Sequence, residues 1–76
     1  MATKEYQFPS GTYQWDHATQ SLWIYDRVGW RSFWREVTEP ELTVLKSELA
    51  ERLEKESDEQ LLILQNYLSN YCPKTT

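Results

Sequence analysis

Asp16 and His17 are the adjacent pair in this 76-residue chain whose types could do acid–base chemistry. A carboxylate beside an imidazole can orient it as a base. The pair sits in a stretch read as a turn, where a histidine is ordinarily solvated. No serine or cysteine stands at a spacing that suggests a nucleophile elbow or a Cys–His arrangement. Cys72 is the single cysteine, so an intrachain disulfide is excluded. One histidine and one cysteine far apart do not supply the ligand count of a structural zinc site. Glu48, Glu51 and Glu54 fall on the wet side of a helical pattern and lack a histidine, which reads as solvated charge. Gly11 and Gly29 are isolated and form no phosphate-cradling loop. The expectation is a protein without a catalytic residue, cofactor or metal.

Residue types suited to recognition are concentrated instead. Between Gly11 and Val37 stand all four tryptophans, Trp15, Trp23, Trp30 and Trp34, with Tyr13, Tyr25 and Phe33. Two turn signals divide this stretch into three runs, Thr12–Asp16, Ser21–Asp26 and Trp30–Val37, rich in the aromatic and β-branched residues that suit a pleated sheet. Trp30, Phe33, Trp34 and Val37 also match helical spacing. The hairpin signal before them and a fresh helix start after them favour a strand.

Asp26-Arg27-Val28-Gly29 reads as a turn with a bulge, closing Asp26 against Trp30. Asp16 closes against Ser21. That register puts Tyr13, Trp15, Leu22, Ile24, Trp30 and Trp34 on one apolar face, expected to be core. Trp23, Tyr25, Arg31, Phe33 and Arg35 fall on the other, with Thr12, Gln14 and Val37. Trp, Tyr and Arg dominate interface hot spots, so these five are the expected partner-binding residues. Two alternatives stand beside that reading. The arginines shield the aromatics by cation–π contact, or the C-terminal segment covers the face and makes it core.

The elements that must position this face follow from local signals. Residues 1–10 read as a fraying arm that ends in the β-turn Phe8-Pro9-Ser10-Gly11. Thr38-Glu39-Pro40-Glu41 is a capping box with proline in the first turn. Leu42, Leu45, Leu49 and Leu53 then make one apolar stripe, opposite favourable Glu48–Arg52 and Glu51–Lys55 pairs. The stripe lapses before Leu61, and Ser57-Asp58-Glu59-Gln60 has the form of a second capping box. The segment is either one long helix or two shorter ones, with the lapse favouring a break. Leu61, Leu62, Ile63, Leu64, Tyr67, Leu68 and Tyr71 form an arc wider than one sheet contact needs. If the segment extends away, then Leu61, Leu62, Leu64, Tyr67, Leu68 and Tyr71 are an exposed patch that a homodimer would bury. Pro73 ends the helix, and residues 72–76 are a loose tail.

The net charge is −4. Residues 1–37 hold four basic and four acidic side chains, whereas residues 38–76 hold four basic against eight acidic. Acidic helices disfavour binding to nucleic acid or anionic membrane, both of which rest on cationic contacts. No segment reads as a signal peptide or membrane span, so a cytoplasmic location is expected.

The whole chain therefore reads as one small α+β domain: a three-stranded antiparallel meander over residues 11–37, followed by one or two helices over residues 38–71 packed on one sheet face. The expected function is a non-enzymatic adaptor, inhibitor or assembly factor that contacts another protein through the aromatic and arginine face, its C-terminal helix, or both. The alternative is a nucleic-acid-associated regulator, with single-stranded bases stacking on sheet aromatics and arginines holding phosphates.

Overall fold

A computed structural model describes residues 4–73. Residues 1–3 of the expected arm and residues 74–76 of the expected tail lie outside it. The chain is α+β. Four strands, β1 (Lys4–Phe8), β2 (Gly11–Asp16), β3 (Ser21–Val28) and β4 (Arg31–Glu36), precede two helices, α1 (Glu39–Lys55) and α2 (Glu59–Ser69). All neighbouring strands are antiparallel, in the order β1-β2-β3-β4.

The meander has one strand more than expected. Pro9 and Ser10 make the anticipated turn, but Phe8 closes directly on Gly11, and Lys4 to Phe8 pair along β2. Tyr6 and Phe8, spaced by two, both point into the core at 6% and 8% exposure. Burying two aromatic rings stabilises this segment by several kcal/mol, on the order of 1.5–3 for each ring. That offsets part of the entropy of ordering it, and the ladder hydrogen bonds to β2 add to it. Arg52 of α1 adds a bond to the Gln7 carbonyl (2.8 Å) and lies over the Phe8 ring, 5.3 Å from its centroid.

The β2–β3 register is the expected one: Tyr13 faces Ile24, Gln14 faces Trp23, Trp15 faces Leu22 and Asp16 faces Ser21. The β3–β4 register is not. Tyr25 lies opposite Trp34 and not Arg31, three residues further along β4. The cause is the turn. Val28 closes on Arg31 around the two residues Gly29 and Trp30, with Gly29 at φ +63°. A positive φ at the first central position alone is the pattern of a type II′ hairpin, whose twist suits the flanking strands. The bulged turn inferred from sequence also needs Gly29 at positive φ, so glycine at this position satisfies both. An odd register change exchanges the two faces of a strand. Every side chain of β4 therefore faces opposite to expectation.

Both helices cover one side of the sheet. α1 begins as anticipated: the Thr38 amide donates to Glu41 Oε1 (2.9 Å), and Pro40 occupies the first turn. Its Leu42, Leu45 and Leu49 are buried, at 4%, 0% and 1% exposure. The chain breaks after Lys55 and restarts at Glu59, with Asp58 and not Ser57 as the cap, its carboxylate accepting from the Gln60 amide (3.0 Å). The short connection returns α2 onto α1 and the sheet. Leu61, Leu64 and Leu68 complete the same core, together with Tyr13, Trp15, Leu22, Ile24 and Val37.

The expected dimer patch is thus largely an internal surface. Leu61, Leu64 and Leu68 are 4%, 0% and 1% exposed, and Tyr67 and Tyr71 pack against the core. Of that set, Leu62 is the residue left open, at 48%.

Candidate functional site

The sheet is covered on one side only, and its register assigns each aromatic to a side. Tyr13, Trp15, Leu22 and Ile24 face the helices. The cross-strand pairs Trp23–Glu36, Tyr25–Trp34 and Arg27–Ser32 stand on the open side. Thr12 and Gln14 of β2 and Glu5 and Gln7 of β1 continue that surface. Tyr25 and Trp34 are in contact, their ring centroids 5.1 Å apart and their planes tilted by 58°. Directly opposed aromatic pairs of this kind add roughly 0.5–1 kcal/mol to strand pairing. Tyr25 nevertheless remains 45% exposed, so much of its ring is free for another contact.

The expected partner-binding set does not form one surface. Trp23 and Tyr25 lie on the open side. Arg31, Phe33 and Arg35 lie on the helix side, because Phe33 is paired with Asp26, and Arg35 with Ile24. Trp34, expected in the core, takes a place on the open side beside Tyr25. Trp30, also expected in the core, occupies the hairpin tip and is 90% exposed, next to Val28 at 61%.

Arg35 is committed internally. Its Nε donates to Asp26 Oδ2 (2.7 Å), while Nη1 and Nη2 donate to Glu41 Oε1 (2.9 Å) and Oε2 (2.6 Å). Two carboxylates satisfy one planar fork, a geometry only arginine provides. The guanidinium hydrogen bonds hold Glu41 far below the usual carboxylate range, at about 2. The Arg35 hydrogen bond lowers Asp26 as well, and Glu41 and then Asp26 push Arg35 up. Arg35 thus ties the β3–β4 hairpin to the first turn of α1.

Glu48 has a similar role at the opposite corner. It accepts from Ser10 Oγ (2.7 Å), and Ser10 Oγ in turn shares a hydrogen bond with the Tyr13 hydroxyl (2.5 Å). Because the single Ser10 hydroxyl proton goes to the carboxylate, the Tyr13 hydroxyl is the donor to Ser10. Glu48 and Arg52, read from sequence as a helix-surface pair, both fasten the β1–β2 hairpin to α1.

Asp16 and His17 each bond a different neighbour. Asp16 Oδ1 accepts from the Ala18 amide (3.0 Å), and His17 Nδ1 accepts from Trp15 Nε1 (3.3 Å). Trp15 stacks on Tyr67 (4.9 Å, 8°) and meets Tyr71 edge-on (5.6 Å, 86°), and His17 tilts against Tyr67 (5.4 Å). A shallow cleft of about 240 Å³ opens here, lined also by Lys4, Tyr6, Gln60 and Ile63. It could not be assembled from sequence, because its walls come from β1 and from a helix that folds back. Among the described residues, no three His, Cys, Asp or Glu side chains group to hold a metal ion. No helix there is long and apolar enough to cross a membrane. Cys72 is a free, exposed thiol.

No protein-family model, curated protein or solved structure matches this chain.

Proposed function

We propose that this chain is a non-enzymatic protein-binding module, acting as an adaptor, inhibitor or assembly factor through the open side of its sheet. One observation carries this reading: the helices pack on one sheet face, leaving only its hairpin end with Val28 and Phe33 exposed, while the other face has no covering element among the described residues and carries exposed Tyr25 between the half-buried Trp23 and Trp34 on two neighbouring strands. Exposed Trp30 extends the same hairpin at its tip, while Val28, paired with Arg31, faces the helix side there. Aromatic side chains with few rotatable bonds supply large contact area at low entropic cost, which is why they anchor interfaces. The arginine contribution is smaller than the sequence suggests. Arg27 is the cation on this face among the described residues, since Arg31 and Arg35 face the other way and Arg35 is already paired.

That distribution also weakens the alternative of single-stranded nucleic acid. Stacking platforms of that kind need a basic surround to hold phosphates, and Glu5 and Glu36 share this face with Arg27.

The reading is tested with the double substitution Tyr25→Ser, Trp34→Ser. The expected result is an unchanged far-ultraviolet circular-dichroism spectrum with loss of the proteins that co-purify with the wild-type chain in its native host. Retention of those proteins by the folded double variant overturns the reading. Fluorescence anisotropy with a labelled oligonucleotide at low salt is expected to show no binding.

A further inference from the structure

The open face carries its charges in order. Cross-strand pairing divides it into three rows. Arg27 and Ser32 lie nearest the hairpin tip, Tyr25 and Trp34 lie in the middle, and Trp23 and Glu36 lie at the far end. Gln14 and Glu5 extend the far row onto β2 and β1. The face is therefore positive at one end, aromatic in the centre and negative at the other end.

Such a surface is its own complement. A two-fold axis in the plane of the face, crossing the strands at the Tyr25–Trp34 row, lays the Arg27 row of one molecule over the Trp23–Glu36 row of the other. It also superposes the two aromatic rows. Two-fold pairing of one patch with itself is the commonest arrangement of homo-oligomers. Face-to-face sheets lie about 10 Å apart, within reach of an arginine and a glutamate extended towards each other.

We infer that the open face is covered by a second copy of this chain, with Arg27 of each copy paired to Glu36 of the other. The inference rests on reading this face as a protein-binding surface, and a second copy seated there competes with any other protein that binds it. Arg27 is free for it, whereas Glu36 is half-buried at the edge of β4 and offers one carboxylate oxygen. Arg27 is exposed, and Asp26 engages its backbone amide (2.8 Å) and not its guanidinium. Glu36 accepts the Tyr71 hydroxyl on Oε2 (2.5 Å), and its second oxygen remains to accept from arginine. The same rotation carries the Trp30 tip of each copy towards the far end of the other. That gives an occupant for the most exposed large side chain among the described residues.

Size sets the strength. Four strands about 4.8 Å apart, rising about 3.3 Å per residue, give an open face roughly 20 Å on a side, on the order of 400 Å² in projection. That is less than the roughly 800 Å² per partner of a standard interface. The pairing is accordingly concentration-dependent and not obligatory.

Sedimentation equilibrium of the full chain over a wide concentration range tests it, with circular dichroism confirming the fold of each variant. The wild type is expected to pass from 9.1 kDa to twice that mass as concentration rises. Arg27→Glu places like charges together and is expected to raise the dissociation constant at least tenfold. Glu36→Arg does the same, and the double exchange Arg27→Glu, Glu36→Arg restores pairing. Because Arg27 and Glu36 stand at opposite ends of the face within one chain, restoration identifies a contact between copies. A mass of 9.1 kDa throughout overturns the inference, as does a dimer indifferent to Arg27→Glu or a folded double exchange that stays monomeric. If the chain stays monomeric while Tyr25→Ser, Trp34→Ser still abolishes co-purification, self-pairing fails and the protein-binding reading stands. If co-purification also survives that substitution, both fail.

Discussion

Arg35 and Glu41 meet as fork and carboxylate, two parallel hydrogen bonds of 2.9 and 2.6 Å that join the edge strand to the first turn of α1. Glu41 also accepts the Thr38 amide on the oxygen that receives Nη1, so the helix cap and the sheet–helix contact are one construction. The capping box was legible in the sequence. Its second use, as the anchor of an arginine read as a binding residue, depends on the register of β4.

Removing the fork tests this construction. Arg35→Met keeps the aliphatic length but leaves Asp26 and Glu41 without their common partner. Both sides of each contact are about one-third exposed, so solvent screening reduces the cost. A loss of about 1 kcal/mol in urea unfolding is expected, through the bidentate Glu41 contact. Arg35→Lys recovers less than half of that, because a point charge cannot hold both carboxylates in plane. Equal stability of the wild type and Arg35→Met contradicts the construction.

The same contact sets an acid limb. Glu41 and Asp26 are both lowered in the folded chain, so their contribution is present above the ordinary carboxylate range. It is lost as pH falls from that range towards about 2, the folded value for Glu41. Chemical denaturation across this window is expected to show a steeper decline for the wild type than for Arg35→Met.

Tyr71 sets the opposite limb. Burial first, and then the hydrogen bond to Glu36, raise its hydroxyl above the ordinary tyrosine value of 10.0. Its contribution is present below that value and is lost as pH rises beyond it. Tyr71→Phe is expected to flatten the alkaline decline in stability. An unchanged alkaline profile contradicts the Tyr71–Glu36 contact.

The return of α2 onto the sheet separates two leucines that look alike in sequence. Leu64 is 0% exposed and Leu62 is 48% exposed. Leu64→Ala is expected to cost about 2–5 kcal/mol through lost burial and the cavity left behind. Leu62→Ala is expected to stay within about 0.5 kcal/mol. Similar costs for both would place α2 away from the core.

Much of this fold could be read from residue types, and the part that could not has a specific cause. The β2–β3 hairpin, the cap at Thr38 and the stripe of Leu42, Leu45 and Leu49 follow local rules, and the structure has them. The break before α2 was visible as a lapse in the apolar pattern, although Asp58 and not Ser57 supplies the cap. β1 was hidden because Tyr6 and Phe8 are two alternate positions in a short segment whose partners are distant. The site suffered most. Gly29 suits either of two hairpin turns, and the choice between them determines which way Trp34, Phe33, Arg31 and Arg35 point. Long-range packing makes that choice. With Val37 buried at 0% and its amide bonded to the Leu22 carbonyl (3.1 Å), the register is held at the far end of the hairpin as well as at its turn.

Four indole N–H groups make the central claim, that association uses the open face, directly measurable. Trp15 is buried beneath Tyr67, whereas Trp23, Trp34 and Trp30 lie on the open face or at its tip. Isotope-labelled chain is observed by nuclear magnetic resonance while unlabelled chain, and separately a co-purified protein, is added. The indole resonances of Trp23, Trp30 and Trp34 are expected to shift together as association proceeds, with that of Trp15 unmoved. Association that shifts Trp15 and leaves the other three in place contradicts the account.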